Sequence, residues 1–132
     1  MIPEHNSVTE TIMTVSQGMT YALAAALVAL SARAALAPRG AALAYGVPIP
    51  EGTALTPYLE VKANRDFVLA TLLVITASAS QSILAFALFF GAIAPAADAW
   101  IVKRHGKVSG TAVHLGTVAF MIVAGALAIS GH

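Results

Sequence analysis

The sequence predicts an all-α membrane protein: a four-transmembrane-helix up-down bundle, multi-pass in the cell membrane, with both termini on the non-cytoplasmic side. Three observations point there. Of the 132 residues 58% are hydrophobic and only 10% charged, with a mean hydropathy of +0.82, whereas soluble domains carry about 25% charged and roughly 45–50% apolar residues. Four stretches reach the ~20 apolar residues needed to cross ~30 Å of hydrocarbon. Each is apolar on every face, unlike the one-sided stripe of a surface helix. Basic residues gather in alternate connections, at Arg39 with nearby Arg33 and at Lys103, Arg104 and Lys107, which places those connections in the cytoplasm.

The first span is expected from Val15 to Leu36, on the run YALAAALVALSARAAL. The leader before it holds Glu4 and Glu10 and no Lys or Arg, the wrong charge for an export signal, so the segment is expected to stay uncleaved. Pro38-Arg39-Gly40 ends this helix, and Pro48-Ile49-Pro50-Glu51-Gly52 reads as irregular chain. Pro57 opens the second span, to Ser78, because a helix tolerates a missing N–H in its first turn. The uncharged Ser78-Ala79-Ser80-Gln81-Ser82 turn leads to a third span from Gln81 to Val102. The basic turn Lys103-Arg104-His105-Gly106-Lys107 leads to a fourth from Ser109 to Ser130. Nothing alternates as a barrel strand would, and only helices and closed barrels satisfy the backbone in lipid. The whole chain, 1–132, reads as one membrane domain.

Charges within spans cost ~2.5–3.5 kcal/mol even on the lenient insertion scale, so their positions matter. At 100° per residue Lys62, Arg65, Asp66 and Leu69 share a face of the second helix, with Glu60 and Asn64 roughly opposite. Lys62 and Asp66 are spaced to pair along the helix, leaving Arg65 for a carboxylate on another helix or for a ligand. In the third helix Gly91, Pro95 and Asp98 fall on one line. Pro95 bends the helix and frees the Gly91 carbonyl. In the fourth, His114 is followed on its face by Thr117 and Met121. The second helix starts, the third ends and the fourth starts on the same side. Lys62, Arg65, Asp66, Asp98 and His114 are therefore expected at one depth, in a polar cluster just inside the inner membrane surface. The competing reading leaves these charges wet among the headgroups, or merely holding helices together, with His114 bonded to a carbonyl or to Thr.

Other chemistry is excluded or unsupported. A formal charge of +1 gives no basic face for nucleic acid. Zero cysteine removes disulfides, thiol redox and thiolate metal sites. A transmembrane bis-histidine haem needs two histidines in spans, and only His114 lies in one. Asp66, Asp98, Glu60 and His114 lack the Glu-x-x-His spacing that would support a metal, and no phosphate loop or nucleophile elbow occurs. No cofactor and no metal are expected.

The runs YLEVKANRDFVLATLL, APAADAWIVKRHG and VHLGTVAFMIVAGAL resemble a family of small bacterial and fungal four-helix membrane proteins classed as a domain of unknown function, similar to DoxX-like proteins. The matching features are Tyr45-Gly46-Val47-Pro48 after the first helix, Arg65-Asp66, Pro95 to Ala99, Arg104-His105-Gly106 and His114 to Thr117. They cover about two-thirds of the chain in order and spacing. Asn64 departs from the pattern, which has a glycine before the Arg-Asp pair. The resemblance implies the four-helix membrane architecture and no established activity.

Two functions remain open. One is a site for a lipophilic small molecule that partitions from membrane lipid, with acid–base catalysis of the isomerase, cyclase or cofactor-free oxygenase type. Asp98 or Asp66 would be the base, His114 the acid or shuttle and Arg65 the anion stabiliser, and Lys62, Glu60, Asn64 and Thr117 would line the ligand. The other is a non-catalytic module: an accessory protein, transporter subunit or lipid binder. Ala87, Gly91, Gly116 and Gly125 offer surfaces for packing helices within one subunit or in a homo-oligomer.

Overall fold

The computed structural model describes residues 4–47, 49–50, 52 and 56–131, with the side chains of 4–6 and 56 left aside. Pro48 and Glu51, which figure in the sequence reading, lie outside the described residues. Six helices follow in order: α1 Glu4–Leu36, α2 Pro38–Ala44, α3 Thr56–Ala79, α4 Gln81–Gly91, α5 Ile93–His105 and α6 Val108–Ser130. Among the described residues there is no strand.

Three boundaries differ from expectation. The first helix begins at Glu4, well before Val15, because nothing between them breaks a helix. Thr11 and Thr14 hydroxyls donate to the carbonyls of Ser7 and Glu10 one turn back, both at 2.8 Å, so the polar leader is satisfied within the helix. Pro38-Arg39-Gly40 does not merely end α1. Pro38 takes the first position of α2, where its lost N–H has no helical partner anyway, and Ala41 and Ala42 bury against the bundle. The third apolar stretch is two helices that meet at Ala92. Pro95 has no N–H for the Gly91 carbonyl and its ring crowds it, so the ladder breaks at that bond; Ala92 and Ala96 keep theirs to Leu88 and Ala92 at 3.0 and 3.1 Å.

Three helical stretches are long and apolar enough to cross a membrane: Ser7–Leu36, Gln81–His105 and Val108–Ser130. α3 is 24 residues long, but Glu60, Lys62, Arg65 and Asp66 in its first half leave it outside that set. Long apolar side chains such as Phe67, Ile75, Phe86, Phe90, Ile122 and Ile129 point outward, an extent of exposed hydrocarbon that a water-soluble surface does not carry.

α1 packs on α3 and α6, and α4 packs on the same two helices. Leu73, Leu84, Leu88, Met121, Ala124 and Ala128 are fully buried at the centre. Alanines at Ala24, Ala70, Ala77 and Ala85 line the seams, where small side chains let backbones approach. Three polar side chains of α1 find carbonyl partners in the bundle. Ser16 donates to Ala124 at 3.0 Å, Thr20 to Ser16 at 2.9 Å and Gln17 to Ala77 at 3.0 Å. Beyond Ala92 the arrangement changes: α5 packs on α6 and leaves α3. That divergence makes the site.

Candidate functional site

Where α5 swings away from α3, long side chains bridge the gap. Arg65 grips Asp98 with both terminal nitrogens, Nη2 to Oδ2 at 2.6 Å and Nη1 to Oδ1 at 3.2 Å. Lys62 Nζ reaches Asp98 Oδ2 at 3.3 Å and Asp66 Oδ2 at 3.2 Å. Arg65 Nη2 also meets Asp66 Oδ1 at 3.3 Å. The four charges form a closed, neutral quartet in which each carboxylate accepts from both cations. The side chains of Asp66, Lys62 and Asp98 are 6%, 13% and 15% exposed, against 43% for Arg65. The quartet is thus largely buried, with Arg65 its most exposed member.

Tyr45 completes the site, and sequence reasoning passed it over as a binding residue. Lys62 Nζ sits 4.2 Å from the centre of its ring, a cation over a π face. His114 lies beside it, buried, the two rings 6.5 Å apart and 27° from parallel. Three glycines hold Tyr45 there. Gly46 has φ +84°, a left-handed conformation that favours glycine. A Cβ on Gly46 would lie 2.8 Å from the Gly110 Cα, and one on Gly110 would lie 2.7 Å from the Tyr45 carbonyl. A Cβ on Gly106 would collide with the Gly46 carbonyl, which accepts from the Lys107 N–H at 2.9 Å. The segment after α2 is therefore wedged into the α5–α6 turn, backbone against backbone. The Tyr45 hydroxyl is buried without a hydrogen-bond partner among the described residues. Burial pushes its pKa up to about 12, with the Asp66 carboxylate adding to the rise, so the phenol stays neutral.

Two clefts flank this group. One, of about 270 Å³, is walled by Val47, Ile49, Tyr58, Leu59, Ile101 and Val102 with His105 at its edge. The other, of about 290 Å³, runs deeper between Leu27, Leu30, Leu69, Val113, Thr117 and Met121. Tyr45, Lys62, Asp98 and His114 line both, and so form the partition between them. Gly91 helps shape the deep cleft: a Cβ there would lie 2.8 Å from Met121 Cε and 3.2 Å from Leu69 Cδ1.

Of the residues expected at the site, Lys62, Arg65, Asp66, Asp98 and His114 come together. Thr117 lines the deep cleft, its hydroxyl donating to the Val113 carbonyl at 3.2 Å. Glu60 and Asn64 are exposed and line neither cleft. Among the described residues no three His, Asp or Glu side chains converge as a metal would need.

The model of a protein family described as a domain of unknown function, DUF4267, matches residues 24–128. The chain belongs to that family. The matched span runs from the middle of α1 through almost all of α6, so it includes every residue of the quartet, Tyr45 and His114. No curated protein and no solved structure matches the chain. In this DUF4267 member the chemistry of the site must be read from its own residues.

Proposed function

We propose that this DUF4267 protein is a four-span protein of the cell membrane, with α3 as its second span and both termini on the non-cytoplasmic side, and that it binds a lipophilic small molecule taken from the bilayer. A quartet that cancels its own charge lowers the cost of carrying four ionised groups into a span. The basic turn at Lys103, Arg104 and Lys107 supports the orientation. Kinship with DoxX-like proteins rests on the motif order alone.

The observation that carries the binding reading is the pair of apolar clefts meeting at one polar partition. Ligand sites are concave, mostly apolar and carry a few convergent polar groups. Both carboxylates are engaged with two cations each, so proton transfer such as isomerisation or cyclisation would fall to His114 and Tyr45. Asp98 and Asp66 would hold the cations in place. The test is native mass spectrometry of the full chain from mild detergent. A co-purifying small molecule that disappears when Val113→Trp fills the deep cleft supports binding; an empty spectrum from wild-type protein in several expression hosts overturns it.

A second reading has its own observation: among the described residues the four charges form their ion pairs with one another, so the quartet would simply tie α3 to α5. Removing Arg65 and Asp98 together leaves the neutral Lys62–Asp66 pair. Both readings expect this double variant to be more stable than either single one. The structural reading expects any bound molecule to remain, and the binding reading expects it to be lost.

A further inference from the structure

We infer that the molecule carried in these clefts is uncharged and bears one hydrogen-bonding oxygen, a carbonyl or hydroxyl, seated at the Tyr45 hydroxyl beside His114. The inference rests on the binding reading and narrows its ligand class.

The charge balance of the partition excludes an ion. Lys62 has three N–H directions, and the structure occupies them with Asp66, Asp98 and the Tyr45 ring. Arg65 spends its two terminal nitrogens on the same carboxylates. An entering carboxylate or ammonium would find no unpaired counter-ion on the partition. It would have to break a buried pair, and the group left behind would be uncompensated. His105, which also lines the outer cleft, is exposed at the end of α5.

Hydrogen-bonding capacity then sets the polar content of the ligand. The Tyr45 hydroxyl is the buried group on the partition with no partner among the described residues. A ligand oxygen that reaches it gains a hydrogen bond that a pure hydrocarbon cannot make. A polar atom placed away from the partition, against Leu27, Leu30, Leu69 or Met121, would lie on hydrocarbon. One oxygen matches the wall. Size follows from volume: a cavity of about 150 Å³ takes one benzene, and each cleft is nearly twice that, which fits a fused two-ring skeleton or a chain of similar bulk.

The experiment uses the full chain in phosphatidylcholine nanodiscs, with tetralin, 1-tetralone and tetralin-2-carboxylate as probes on one skeleton. Equilibrium dialysis against empty nanodiscs removes simple partitioning into lipid. The ketone is expected to bind roughly fivefold tighter than the hydrocarbon and at least about tenfold tighter than the carboxylate. Tyr45→Phe keeps the ring under Lys62 and removes only the hydroxyl; it should bring the ketone down to the hydrocarbon's affinity and leave the hydrocarbon unchanged. A carboxylate that binds as well as the ketone overturns the inference while leaving the binding reading intact. So does a ketone preference that survives in Tyr45→Phe. If none of the three binds above the lipid background, the inference falls together with the binding reading.

Discussion

Where α3 runs into α4, Leu73, Leu84 and Leu88 are fully buried and alanines bring the helices into contact. Where α3 begins and α5 ends, the helices stand apart and four charged side chains span the gap. The first region is held by close packing, the main resource of helices in an apolar solvent. The second spends its packing on open space and is held by electrostatics in compensation. The two halves of the protein therefore answer differently to substitution, and that difference separates a site from a scaffold.

The largest effect is expected from Asp98→Asn. It removes the partner of two cations, so unfolding in detergent, followed by helical circular dichroism, should show a loss on the order of 3 kcal/mol. Leu84→Ala, in the packed half, should cost about 2–4 kcal/mol for the cavity it leaves yet keep any bound molecule, as mass spectrometry would show. Equal loss of ligand in both variants would erase the contrast between the halves. Gly46→Ala strains a positive φ and pushes a Cβ into Gly110; about 1–3 kcal/mol should be lost, together with the seating of Tyr45. Pro95→Ala should change stability by under about 1 kcal/mol, since it restores one helical N–H. It should still weaken ligand binding, because straightening α4 into α5 returns α5 toward α3. A Pro95→Ala protein with unchanged affinity would mean that the bend does not open the clefts.

Much of this was written in composition and spacing. The apolar runs that became α1, α4–α5 and α6 declare themselves by length, and the bend was readable from Gly91 and Pro95. So was the division of partners on α3: the i,i+4 relation assigns Asp66 to Lys62 and releases Arg65 for Asp98. Asp66 in fact receives both cations, which needs side-chain reach that spacing does not encode. α2 was hidden because proline serves equally to stop a helix and to start one. α3 has the length of a span, but the charges in its first half set it apart from the other long helices. Tyr45 was out of reach because its place depends on Gly46 meeting Gly106 and Gly110, a pair distant from it in the chain. The sequence signal available was their lack of side chains, and it becomes meaningful only when the three meet.

The length of α1 has a separate consequence. Its 33 residues extend ~50 Å at ~1.5 Å each, while ~30 Å crosses the hydrocarbon. The far end of α6 is level with Met13, which abuts Gly131. The turns from Glu4 to Thr11 extend beyond that level, about 12 Å of helix. About 20 residues suffice to cross the hydrocarbon, so α1 has some 13 to spare, and its polar stretch Thr9-Glu10-Thr11 lies at the end away from the clefts.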